Sequence, residues 1–390
     1  MTANETRSEN AFAAFGVRPV VNCCGIYTDL GGSVLSPTVW NALEELNGAF
    51  VRMTDLLDAA GRMIAGLTGF EAARITPGAS AAIALSVAAT MTGNRGEHWQ
   101  QLPDTTGLRS EVVIAASHLA SYKYAICTRI TGARFVAAGP ANRFELASLR
   151  KAVGPRTTCI FVPAHLLDGF EGAEQLRDVV AMAHEAGVPV VVDAAYMIYP
   201  TLLPSLYADA GADLVCFSAK YFGGPNSGGF VVGRRALVDA VEGLDFTRFE
   251  SGRYRGFGRA FKMSRYDVAA TALALREWMA LDHSARWAGY AREIQSIAGD
   301  LAALPGVTAA ARLFTMSEDL IESPTPNALV IEFEAGRRPD ARTAWAQLEG
   351  GDPIVATILD GDRLIVAVDT LLDGQERIVG QRLAEALATP

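Results

Sequence analysis

Asp213-Leu214-Val215-Cys216-Phe217-Ser218-Ala219-Lys220 is an apolar run that closes on a lysine, and Gly223-Gly224-Pro225-Asn226-Ser227-Gly228-Gly229 follows it. Upstream, Val188-Pro189-Val190-Val191-Val192 ends in Asp193, 27 positions before that lysine. Runs that stay apolar without alternation predict strands buried on both faces, which is the signature of a mostly parallel sheet covered by helices. Sites in such sheets lie beyond the carboxyl ends of the strands. Asp193 and Lys220 fall there. So do His118, after Val112-Val113-Ile114-Ala115, and His165, after Thr158-Cys159-Ile160-Phe161-Val162.

Working outward, strands and helices alternate. Helices are predicted over Ser121 to Thr131, Phe144 to Val153 and Ala173 to Ala186, the last stopped by Gly187. Arg134-Phe135-Val136-Ala137 and Phe230-Val231-Val232 add short strands. Toward the amino terminus, Arg74-Ile75-Thr76-Pro77-Gly78-Ala79-Ser80 reads as a turn opening a strongly apolar helix from Ala81 to about Met91. Ser36-Pro37, followed by Val39, Leu43 and Leu46, carries a helix-start signal. Arg18-Pro19-Val20-Val21-Asn22 reads as an extended arm. Beyond Ala269 to His283, a helix, Asn327 to Phe333, Ile354 to Ile358 and Arg363 to Val368 alternate as an antiparallel sheet does. Three regions are expected: an arm and first helix over 1–50, a large domain over 51–268, and a connecting helix with a small carboxyl-terminal domain over 269–390.

The 390 residues suffice for such a core, half of them hydrophobic. A formal net charge of −9 with no basic tail argues against nucleic-acid binding. Cys23, Cys24, Cys127, Cys159 and Cys216 show no metal-ligand spacing and read as reduced, buried thiols. No metal is expected. The first ten residues are polar, and no run reaches the ~20 apolar residues of a membrane span. A cytoplasmic protein without membrane partners is the expectation.

A lysine and a carboxylate delivered to one sheet edge form a specific chemical pair. The amine can form a Schiff base with an aldehyde, and the acid can keep a pyridinium nitrogen protonated, which is what pyridoxal phosphate (PLP) chemistry needs. Gly78, Ala79 and Ser80 supply helix-terminal donors for a phosphate, and Ser218 adds a hydroxyl. His118 is the first choice of ring to stack on the cofactor, Tyr122 the second. Each piece alone has a plainer reading: a solvated strand end, a helix cap, a satisfied polar side chain. Their order along a parallel-sheet pattern favours the site. No G-x-G-x-x-G after a first strand and no G-x-x-x-x-G-K-[ST] supports nucleotide binding instead. Arg253, Arg255 and Arg259, interleaved with glycines, read either as a solvated basic loop or as an anion clamp. Arg259, Lys262 and His165 are the candidate substrate contacts.

At this point the chain resembles PLP-dependent enzymes of fold type I, in the branch of bacterial selenocysteine synthase and its D-glucosaminate-6-phosphate ammonia-lyase-like relatives. The likeness runs from Arg18-Pro19-Val20-Val21-Asn22 to Leu371-Leu372-Asp373-Gly374. It includes Leu67-Thr68-Gly69-Phe70-Glu71-Ala72-Ala73 and Gly258-Arg259-Ala260-Phe261-Lys262. Its most specific segment is Phe217-Ser218-Ala219-Lys220-Tyr221-Phe222-Gly223-Gly224-Pro225-Asn226-Ser227-Gly228. The resemblance implies that Lys220 holds the cofactor, Asp193 faces its pyridine nitrogen, and Ser80 and Ser218 help with phosphate. It also implies a homodimer or a larger assembly of dimers. Three departures stand out: one residue fewer between Ser218 and Lys220, no basic residue after Pro353-Ile354, and no basic amino-terminal extension suited to tRNA. The expected activity is a PLP-dependent lyase acting by β-elimination on a small amino acid or amino sugar acid. A racemase or aminotransferase is the alternative, and a catalytically silent PLP-fold binding protein is the alternative of another class.

Overall fold

The computed structural model describes residues 11–167, 171–195, 205–315 and 319–388. The chain divides into two compact units, one over 32–280 and one combining the residues up to Gly31 with Leu281 onward.

The larger unit is built on a seven-stranded sheet. Its spatial order is Ala72–Thr76, Gly229–Gly233, Leu214–Ser218, Val190–Asp193, Thr157–Pro163, Glu111–Ala115, Arg134–Ala138. Only Gly229–Gly233 runs against its neighbours; the other pairings inside the sheet are parallel. Alternate residues feed two cores. Val113, Ile160, Val192, Phe217 and Phe230 pack on one face, and Ile114, Phe161, Val191, Cys216 and Val231 on the other. That double burial is why the strands read as unbroken apolar runs. Helix Gly78–Thr92, buried over most of its length, covers the second face. At the far end of the lysine strand, fully buried Asp213 accepts from Arg234 Nη1 at 2.9 Å and Val190 N–H at 2.8 Å. His184 Nε2 also lies 2.9 Å from it. These bonds pin three elements together away from the site.

One strand departs from the sequence expectation. Arg74 to Thr76, expected as the start of a turn, belong instead to strand Ala72–Thr76 at the sheet's edge. Its central Arg74 looks wrong for a buried strand, yet it is 2% exposed. Arg74 Nε and Nη2 grip Asp245 Oδ2 at 2.8 and 2.7 Å, and Nη1 reaches Asp58 at 2.7 Å. The expected helix from Ser121 to Thr131 is also interrupted. Two short helices, Ala116–Ser121 and Ile126–Arg129, flank Tyr122, whose extended backbone (φ −80°, ψ 94°) ends the first.

The smaller unit holds a five-stranded antiparallel sheet in the order Leu320–Ile321, Val307–Phe314, Ala328–Phe333, Arg363–Ala367, Ile358–Asp360. The run Ile354 to Ile358 is split, because Ile354–Ala356 pairs in parallel with Val20–Asn22 of the arm. Helices His283–Leu301, Ala341–Gly350 and Gln375–Leu387 contribute the rest of its core.

The expected divisions at 50 and 268 differ from these units for two physical reasons. Ser36 does cap helix Pro37–Asn47, accepting from Val39 N–H at 3.2 Å. That helix buries Val39 and Leu43 against Ala269, Ala270 and Ala274 of Arg265–Ala280, which ties both helices to the larger unit. The arm instead adds a strand to the smaller one.

Candidate active site

The sheet register assembles the site. Asp193 stands opposite Cys216, so the aspartate strand ends beside the lysine strand two residues before Ser218. Ser218 and Thr76 both pair with Gly229, one from each side. Thr76 leads through Pro77 into helix Gly78–Thr92. Three strand ends therefore bring Asp193, the Lys220 turn and the start of that helix to one edge.

Lys220 lies in the turn Ala219–Phe222 and is 8% exposed, with Nζ 5.1 Å from the Tyr221 ring centre. The glycines after it serve the turn. Gly223 is left-handed (φ +71°), Gly224 N–H donates to Ala219 C=O at 2.9 Å, and Ala219 N–H donates to Gly228 C=O at 2.9 Å. A β-carbon on Gly224 or Gly228 would meet the Ala219 methyl at 2.8 or 3.0 Å. The glycine stretch thus packs against the lysine turn.

Asp193 is 3% exposed. Its Oδ2 accepts from the Tyr122 hydroxyl at 2.7 Å, and its Oδ1 from Ala195 N–H at 3.1 Å. Burial pushes its pKa up, while those two donors pull it back down. Tyr122 is the partner that sequence reasoning misses. The sequence offers it only as a second-choice stacking ring, and no local signal links it to an aspartate 71 positions on. His118 is 5% exposed and stacks on Phe144, ring centres 5.5 Å apart and planes 19° apart. His165 follows Pro163 in the turn Ala164–Leu166, and its ring centre lies 6.3 Å from that of Tyr122. Burial first, then repulsion from His118 and Lys123, push its pKa down to about 4, which keeps the ring neutral at neutral pH.

Helix Gly78–Thr92 has no side-chain cap; Pro77 precedes it and Gly78 takes φ +81°. Gly78 and Ala79 are half-buried and Ser80 is exposed, so the first turn is open to an anion. An open helix start, a buried amine and a buried acid at one sheet edge fit the donor set that PLP requires.

Arg259 lies in the turn Phe257–Phe261, and Lys262 follows it. Their segment packs on the middle of the same long helix, where a β-carbon on Gly258 would meet Leu85 at 3.0 Å, about two turns from Gly78. Arg259 Nε lies 3.4 Å from Glu250, and Arg255 and Arg259 both lie over the Phe249 ring, at 5.7 and 5.6 Å. Among the described residues, no group of three or more His, Cys, Asp or Glu side chains is arranged to hold a metal.

Residues 22–251 match the family model described as SelA, L-seryl-tRNA selenium transferase. The chain belongs to this family. Within it and among its neighbours, the chain is similar to D-glucosaminate-6-phosphate ammonia lyase of Salmonella typhimurium. It is 30% identical over 304 residues, 77% of each protein. It is also 32% identical over 299 residues to 5'-C-glycyluridine monooxygenase-decarboxylase of Streptomyces sp, covering 75% of this chain and 71% of that one. The L-seryl-tRNA(Sec) selenium transferase of Moorella thermoacetica is 26% identical, covering 95% and 82%. Among solved structures, a D-glucosaminate-6-phosphate ammonia-lyase superposes with a TM-score of 0.82 at 25% identity, covering 98% of this chain and 100% of that one. This family member therefore has the fold type I architecture and is a PLP-dependent enzyme.

Proposed function

We propose that this protein is a PLP-dependent lyase that removes water or ammonia from a small amino acid or amino sugar acid. The observation that carries the reading is the buried pair Lys220 and Asp193, set at the ends of neighbouring strands beside an uncapped helix start. The similarity to an ammonia lyase over 77% of the chain supports the reaction class.

On this reading Lys220 carries the cofactor's aldehyde through its amine and Asp193 keeps the pyridine nitrogen protonated. The N–H groups of Gly78, Ala79 and Ser80, with the Ser80 and Ser218 hydroxyls, hold the phosphate. Bound PLP supplies an electron sink for charge that develops at the substrate's α-carbon. The Lys220 amine would take the α-proton and return a proton to the departing group on the β-carbon. The departing group would leave with the electron pair of its bond to the β-carbon as the α-carbon–hydrogen pair becomes a carbon–carbon double bond, and water would then release ammonia and a keto acid. His165, a neutral ring, and His118 are proposed to border the substrate. The larger assembly is proposed to be a cytosolic homodimer. Among the described residues no helix is long and apolar enough to cross a membrane.

The test is borohydride reduction of the PLP-loaded protein, peptide mapping, and a screen of small amino acids and amino sugar acids. The pyridoxyl group is expected on the peptide holding Lys220, with keto acid released; a label on Lys123 or Lys262 sinks the assignment. Proton exchange at the α-carbon with no keto acid replaces the lyase with a racemase.

Arg259 is proposed as an anion clamp acting in the site of a neighbouring subunit. Arg259→Ala should raise the substrate KM or the PLP dissociation constant about tenfold, the scale of one lost charge-assisted hydrogen bond. The apo thermal midpoint should hold, because the Glu250 partner is 77% exposed. Unchanged KM and PLP affinity end the clamp idea.

A further inference from the structure

We propose that Tyr122 is the positioning residue for Asp193, its buried hydroxyl fixing one carboxylate oxygen so that the acid presents a set plane to the cofactor's ring nitrogen. This rests on the PLP reading above and names a residue of that same site.

The geometry supplies the argument. Tyr122 is 4% exposed and sits where the chain leaves helical geometry between Ala116–Ser121 and Ile126–Arg129. Its ring is held from several sides, with Phe161 at 5.4 Å, Tyr124 at 6.0 Å and His165 at 6.3 Å between ring centres. A buried tyrosine hydroxyl needs an acceptor, and a buried carboxylate needs donors. The 2.7 Å bond to Asp193 Oδ2 satisfies both at once, and Ala195 N–H takes Oδ1. With one donor on each oxygen, the carboxylate cannot rotate without losing a charge-assisted bond. Cys127, Tyr207 and Cys216 also feel Asp193, and burial pushes the pKa of each of them up. They stay protonated at neutral pH. The Tyr122 hydroxyl and the Ala195 N–H thus work on the Asp193 charge with little competition from these neighbours. The interrupted helix is the local consequence, since an uninterrupted run from Ser121 would fix the Tyr122 backbone in a helical conformation.

The test compares four PLP-loaded proteins: unsubstituted, Tyr122→Phe, Asp193→Asn and the double variant. Phenylalanine keeps the ring and its packing and removes only the hydroxyl. Tyr122→Phe is expected to lower kcat ten- to a hundredfold with KM within about twofold, and to speed PLP release about tenfold. Its bound-cofactor absorbance should shift with pH differently from that of the unsubstituted protein. The apo thermal midpoint should move little. In the Asp193→Asn background the same substitution should change kcat and PLP release less than twofold, because the group it serves is gone. Tyr122→Phe with unchanged PLP release and absorbance, or with its full effect retained in the Asp193→Asn background, overturns the proposal. An unsubstituted protein that binds no PLP sinks the parent reading as well, a pattern distinct from either.

Discussion

Asp193→Asn is expected to cut turnover at least about a hundredfold, the scale set by removing one preorganised charged partner from a closed site. The substitution keeps the shape: the amide oxygen can still accept from Ala195 N–H, and the Tyr122 hydroxyl can turn to accept from the new amide NH2. What it removes is the negative charge that, on the proposed reading, keeps the pyridine nitrogen protonated. Burial of that charge is unfavourable on its own, as the upward push on the Asp193 pKa shows. The variant should therefore unfold no more easily than the parent and keep its sheet. Steady-state kinetics with a thermal melt on each protein checks both halves. Full turnover with PLP bound would remove Asp193 from the chemistry.

Arg74→Met should destabilise the fold by about 3–5 kcal/mol, the usual cost of breaking a buried ion pair by removing one partner. Asp245 would keep its bonds from the Thr247 N–H at 2.8 Å and hydroxyl at 2.5 Å but lose its two-pronged guanidinium. Asp58 contributes less, since its side chain is 45% exposed. Urea unfolding of the apo protein measures the loss. Adding Asp245→Asn, which removes the stranded charge, should recover part of it. A loss below about 1 kcal/mol would show that the network is no stronger than a surface pair.

Arg74 also marks where local sequence pattern stops being informative. Runs such as Val190-Val191-Val192 announce buried strands because both their faces are apolar, and the acid and the lysine at their ends are legible for the same reason. Ala72–Thr76 is hidden because its central charge is neutralised by Asp245, 171 positions away. The bond from Tyr122 is hidden because its acceptor, Asp193, lies on a strand 71 positions away. Ile354 to Ile358 looks like one strand, since periodicity shows which face a residue takes and says nothing of which partner pairs with it. Local pattern reports burial. Partners in space are what it omits.

Gly229 sets a clearance. A β-carbon there would stand 2.5 Å from the Gly78 carbonyl carbon and 2.8 Å from the Ala79 nitrogen, both backbone atoms at the start of helix Gly78–Thr92. Its strand is also hydrogen-bonded to the strand that carries Lys220. The spacing between the proposed amine handle and the proposed phosphate handle is thus gauged by a missing methyl group, with no side chain free to swing aside. Graded insertion of bulk at this one position, alanine and then serine, would act as a shim of known thickness. The resulting fall in PLP affinity would read out how much play the cofactor's two anchor points tolerate along the sheet edge.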